Sequence, residues 1–154
     1  MSATAAASLA ELWMAIGGAF ASVAVPKVGL AAVTFDPEPA HIVGTGGAIG
    51  AVLRYGVYQR LSSDRFPWPT LLVNVVGSFA FALAMFAGAT ESVLQLLGTG
   101  LCGAFTTFSS FSVETVQLYE RGDRLLAIGN TGANLGLALA GIGLAWLVAA
   151  LGPV

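Results

Sequence analysis

Four long stretches of this chain carry apolar residues with almost no charge, and short polar joints separate them. They cover about residues 40–58, 69–89, 92–119 and 125–151. Each is close to the length of helix that crosses a bilayer, roughly 20 residues. The joints at 59–68, 90–91 and 120–124 are too short to hold a soluble domain. The pattern therefore predicts an all-α membrane protein of four transmembrane helices. The second stretch follows Pro67-Trp68-Pro69, a motif suited to the first turn of an interfacial helix. Tyr55, Tyr58, Trp68, Tyr119 and Trp146 fall near the predicted ends, as aromatic belts do.

The third stretch departs from a plain span. No residue from Ser92 to Val113 is charged, yet Gly100 to Ser112 reads GLCGAFTTFSSFS. Lipid offers no hydrogen-bond partner, so hydroxyls and glycines at mid-depth must face protein or a polar path. A broken third helix is expected, with Gly103 and Thr106 at the interruption. A break would free backbone carbonyls, which are good ligands for hard cations. A glycine kink relieved by Thr hydroxyls bonding back to the helix accounts for the same residues equally well.

Residues 1–39 read as a separate N-terminal extension, and 40–154 as the membrane domain. Residues 12–25 are uncharged but only fourteen long, and Pro26-Lys27 ends them. That length suits a peripheral helix better than a span. No Lys or Arg precedes Lys27, which argues against a signal peptide. Asp36-Pro37-Glu38-Pro39 reads as a linker into the first span.

Composition narrows the class. Of the 154 residues 56% are hydrophobic and 9% charged, against about 25% charged in soluble domains. The net charge of −2 leaves no basic surface for nucleic acid. One cysteine, Cys102, and one histidine, His41, exclude an intrachain disulfide, Cys-based metal clusters and most His-based catalysis. No nucleophile–base pair, carboxylate dyad or phosphate loop occurs, so an enzyme is not expected. Arg60, Arg65, Arg121 and Arg124 lie in the first and third joints, with Arg54 nearby. The positive-inside rule puts those joints in the cytoplasm and both termini outside.

Several polar residues sit inside the apolar stretches. Asn74 either makes a helix–helix hydrogen bond, worth about 1 kcal/mol or less, or donates to a permeating anion. Asn130 and Asn134 are four apart and share one helix face. The pairs Gly132/Gly136 and Gly46/Gly50 have the spacing that permits close helix packing. Phe108 and Phe111, three apart, either pack as ordinary core or turn positive ring edges toward an anion. Arg54 is expected to snorkel to water, and Glu114 to pair or cap a neighbouring helix.

Together these residues resemble the fluoride channel family (Fluc, also called CrcB). Three segments carry the resemblance: GTGGAIGAVLRY at 44–55, TLLVNVVGSF at 70–79, and GLCGAFTTFSSFS at 100–112. The resemblance implies an antiparallel, dual-topology dimer with two pores. It also implies a central Na+ held by the backbone carbonyls of Gly103 and Thr106. It places Asn74, Phe108 and Phe111 on the fluoride pathway, with the hydroxyls of Thr107 and Ser110 as further candidates. Asn130 and Asn134 are placed on the polar track of the fourth helix by spacing, although the residue types differ. Arg54 and Glu114 fall on charged positions of the family. Ala104 departs from the pattern, standing where many members have glycine.

The function this implies is passive export of fluoride through the cell membrane, which lowers fluoride toxicity. The arginine bias favours one orientation, so the dimer partner is either a second copy or an oppositely oriented paralogue. Two other readings fit a small four-span chain: a proton-coupled multidrug transporter, and a non-conducting partner subunit of a heterodimeric channel. The first needs a carboxylate within the membrane, and Glu114 is the only candidate.

Overall fold

In a computed structural model, residues 37–61 and 65–152 are described, and they are helical apart from short joints. The expected peripheral helix in 12–25 lies outside the described residues. Helix α1 is Pro37–Arg60 and α2 is Trp68–Phe86. Helix α3 covers 91–105, α4 is Phe108–Glu120 and α5 is Arg124–Leu151. The reading of Pro37-Glu38-Pro39 as linker is corrected: these residues form the first turn of α1. Proline is tolerated there because first-turn N–H groups have no helical partner.

Among the described residues, three segments are long and apolar enough to cross a membrane: Trp68–Phe86, Glu91–Glu120 and Arg124–Leu151. Helix α1 has the length, at 24 residues, but its glycines and polar residues hold its hydropathy below theirs.

Two joints turn on glycine. Gly88 (φ 69°) follows α2 and Gly122 (φ 88°) follows α4. In each, the next residue's N–H reaches back to the helix, Ala89 to the Ala84 carbonyl and Asp123 to that of Leu118. This is a Schellman ending, which requires a left-handed residue and so favours glycine.

Packing divides into two halves. Helix α5 buries Ala127, Asn130, Asn134, Gly141 and Ala145, a stripe at helical spacing. Gly141 of that stripe lies against the Val75 carbonyl and Phe79 of α2. Most of the rest of α5 is exposed, Leu125, Ile128 and Leu135 included. Helix α3 instead packs its backbone on α1. A Cβ on Gly46 would strike the Leu96 carbonyl, and one on Gly50 the Leu101 carbonyl. Leu94–Cys102 is wound as a π-helix, which sequence periodicity did not predict. Gly132 and Gly136, expected to pack closely, face open space in the single chain.

Candidate functional site: a broken helix stitched by asparagines

The interruption in the third stretch falls at Thr106 (φ −80°, ψ 162°) and Thr107 (φ −153°, ψ 116°), both extended. Gly103, expected at the interruption, remains helical (φ −60°, ψ −38°). Its N–H still donates to the Gly98 and Gly100 carbonyls, so the break comes three residues later than glycine alone suggested.

Asn74 of α2 holds the break. In an unbroken helix the Thr107 N–H would donate to the Gly103 carbonyl. Here it donates to Asn74 Oδ1 at 2.8 Å. Asn74 Nδ2 donates to the Thr107 carbonyl at 3.2 Å and to Asn134 Oδ1 at 3.0 Å. A side-chain amide thus replaces the helical bonds that lipid could not. The chain of bonds continues. Asn134 Nδ2 donates to Asn130 Oδ1 at 2.9 Å and to the Asn130 carbonyl at 3.0 Å. Asn130 Nδ2 donates to Thr115 Oγ1 at 2.8 Å, and Thr115 Oγ1 to the Phe111 carbonyl at 2.7 Å. Asn130 is fully buried and Asn134 nearly so, which makes their satisfaction obligatory.

The two sides of the break differ in polarity. Helix α4 opens with Thr107 as its N-cap, the hydroxyl accepting from the Ser110 N–H at 3.2 Å and bonding Ser110 Oγ at 3.1 Å. The N–H groups of Phe108 and Ser109, next in line, have no carbonyl within α4 to bond. An N-terminal end carries partial positive charge and suits anions. Beside it, the Phe108 ring is 79% exposed, and the half-buried Phe111 ring lies 5.7 Å away at 50°.

Helix α3 ends here with the opposite polarity. Thr106 bonds back to the Cys102 carbonyl through both N–H and Oγ1, each at 2.9 Å. The Thr106 carbonyl accepts from Arg54 Nη1 at 3.3 Å. The expectation that Arg54 snorkels to water is corrected. Its guanidinium reaches the negative end of a helix, which stabilises a cation more than the bare interior does.

Glu114 is held from α2. Thr70 Oγ1, completely buried, donates to Glu114 Oε1 at 2.8 Å and lies 2.6 Å from the Tyr58 hydroxyl. Glu114 Oε2 is buried without a partner among the described residues. Tyr58, read from sequence as part of an aromatic belt, is thus tied into a polar cluster. Thr70 and Thr115 were missed as network members. The available signal was that Thr70 precedes Asn74 by four residues, and so shares its helix face. His41 is exposed near the start of α1.

Of the residues singled out in sequence, Asn74, Thr107, Ser110, Asn130 and Asn134 are thus joined in one network, whereas Glu114 belongs to a separate cluster. Arg54 and Thr106 meet on the other side of the break. Broken helices of this kind recur at the ion sites of membrane transport proteins. Residues 41–148 match the family described as "CrcB-like protein, Camphor Resistance (CrcB)", and the chain belongs to that family of integral membrane proteins. A Haloarcula marismortui protein named Fluoride-specific ion channel FluC 2 is 54% identical over 109 residues, covering 71% of this chain and 92% of the relative. A Halobacterium salinarum protein named Fluoride-specific ion channel FluC 1 is 47% identical over 112 residues, covering 73% and 94%. An Aeromonas salmonicida protein named Fluoride-specific ion channel FluC is 47% identical over 106 residues, covering 64% and 85%.

Proposed function

We propose that this chain conducts fluoride passively across the membrane, out of the cell, along the positive side of its helix break. The observation that carries the reading is the pairing of a capped helix N-terminus with a tilted pair of phenylalanines, Phe108 exposed and Phe111 half-buried. Phe108 and Ser109 offer N–H groups without a partner among the described residues, and Ser110 offers a hydroxyl. A small, strongly hydrated anion needs such donors to replace its water. Ring edges at Phe108 and Phe111 add weak positive potential without a full charge that would trap the ion. Asn74 has both amide protons engaged, so its first task is to hold the break open. It contacts fluoride only by releasing Asn134. Family membership and relatives bearing the fluoride channel name support the same reading.

The pore is completed by a second, antiparallel copy. The Phe108 ring is bare in the single chain, and Gly132 and Gly136 face open space, so both surfaces are free to meet one. The loop arginines favour one insertion, so an oppositely oriented paralogue is the alternative partner.

The donor set at the negative side of the break fits a structural Na+. Thr107 no longer bonds the Gly103 carbonyl, and the Thr106 carbonyl has a second lone pair beside the one Arg54 uses. Hard oxygen donors suit such a cation, but two carbonyls are too few, so a second chain would supply the rest. When bound, the ion would neutralise converging helix ends at the dimer centre.

The test is fluoride efflux from liposomes holding this chain alone, followed with a fluoride electrode. Efflux is expected without a proton gradient, and is expected to fail in Phe108→Ile and in Asn74→Asp. Efflux that requires a proton gradient would overturn the channel reading.

A further inference from the structure

A cavity of about 420 Å³ lies apart from the helix break, between the end of α1, the start of α2 and α4. Arg65 and Arg121 stand on its lining, with Leu61 and Leu118 as apolar walls. Neither guanidinium makes a hydrogen bond or ion pair with another described residue, the one bond of Arg121 being its backbone N–H to the Gln117 carbonyl. Tyr58, Gln117 and Glu114 also line it, and Glu114 Oε2 is buried without a donor among the described residues. Its lining residues lie next in the chain to the end of α1 at Arg60, the start of α2 at Trp68 and the end of α4 at Glu120. Exposed Trp68, tilted against Phe66 with ring centroids 4.8 Å apart, and exposed Tyr119, with Arg124 over its ring at 5.4 Å, mark that level as the headgroup zone.

We propose that this cavity binds the phosphoglycerol headgroup of an anionic phospholipid. The phosphate is held by Arg65 and Arg121, whose planar forks match its oxygens. The glycerol hydroxyls reach inward, one donating to Glu114 Oε2 and supplying the donor that this oxygen lacks. Tyr58 and Gln117 offer further polar partners, and the glycerol backbone and first methylenes lie on Leu61 and Leu118. In a chain inserted with its arginine joints inward, the cavity meets the cytoplasmic leaflet, which is the anionic one. A bare halide is the poorer occupant. The space far exceeds a small ion, half the lining is apolar, and the carboxylate at the end of Glu114 turns an anion back. The inference stands independently of fluoride conduction.

Purified protein in detergent is titrated with dioctanoyl phosphatidylglycerol, dioctanoyl phosphatidylcholine and soluble glycerol phosphate, and occupancy is read by native mass spectrometry. The glycerol lipid is expected to bind about tenfold more tightly than the choline lipid, about 1.4 kcal/mol. Arg65→Gln/Arg121→Gln is expected to abolish that preference, and Arg65→Lys/Arg121→Lys to retain part of it. Elution as a single species checks that each variant is folded, and the lysine pair carries the test if the glutamine pair is not. Equal binding of both lipids, or a preference that survives the glutamine pair, overturns the proposal. Glycerol phosphate binding as tightly as the lipid assigns the site to a soluble phosphate and overturns the lipid assignment. Displacement of the lipid by millimolar fluoride or chloride marks a small-anion site and does the same.

Discussion

The two sides of the helix break are built by opposite means. Upstream, α3 lies backbone to backbone on α1, and glycine is the enabling residue at Gly46, Gly50 and Gly100. Downstream, α4 is held to α2 and α5 by side chains: Asn74, Asn134, Asn130 and Thr115. Close backbone contact tolerates no added atom, whereas a hydrogen-bonded chain loses one link at a time. The first half of the site is a matter of shape, and the second a matter of satisfied donors and acceptors.

The sharpest way to break that contrast is to add one side chain upstream. Gly50→Val places atoms against the Leu101 backbone, which cannot swing aside. Overpacking in a fixed interior costs about 1–3 kcal/mol or more, and loss of monodisperse protein on size exclusion is expected. Gly132→Ala is the matched control. It meets nothing within 4 Å in the single chain, so a change within about 0.5 kcal/mol is expected in detergent. A larger loss only in membranes would sharpen the account, by showing that a second chain covers Gly132.

Downstream, Asn74→Ala removes three bonds and strands the Thr107 N–H. An unpaired buried group costs about 1–3 kcal/mol, and a loss in that range is expected in unfolding equilibria. Asn134→Ala is expected to cost less, since Asn74 keeps both of its bonds to Thr107. If the two losses were equal, the amide chain would act as one unit rather than as separable links. Thr70→Val is expected to have the smallest effect of the three downstream substitutions. It takes the donor from Glu114 Oε1 without changing shape, and about 1 kcal/mol is expected, read as a shift in midpoint. No change on Thr70→Val would mean that water already replaces Thr70.

Much of this was legible in the chain. Uncharged stretches located the helices, because lipid admits little else. The hydroxyl-rich waist announced an interruption, because lipid cannot satisfy it. The partners could not be read in the same way. Asn74 meets Thr107 across 33 residues and Asn134 across 60, and no local pattern encodes which face of α2 turns toward α5. Gly103 misled for a related reason. A glycine permits a break but does not compel one, and the helix continued until Asn74 offered the Thr107 N–H a better partner. Arg54 misled because its long side chain can reach either water or a carbonyl, and only packing shows that the Thr106 carbonyl is in range. The π-helical winding of Leu94–Cys102 has no signature of its own in hydropathy.

The central claim is that donors at the start of α4 and two phenylalanine rings admit fluoride and refuse larger anions. The direct measurement loads liposomes carrying this chain with equal fluoride and chloride and applies a membrane potential that drives anions out. The account predicts that fluoride leaves while chloride stays. Exit of both anions at similar rates, or of neither, would contradict it.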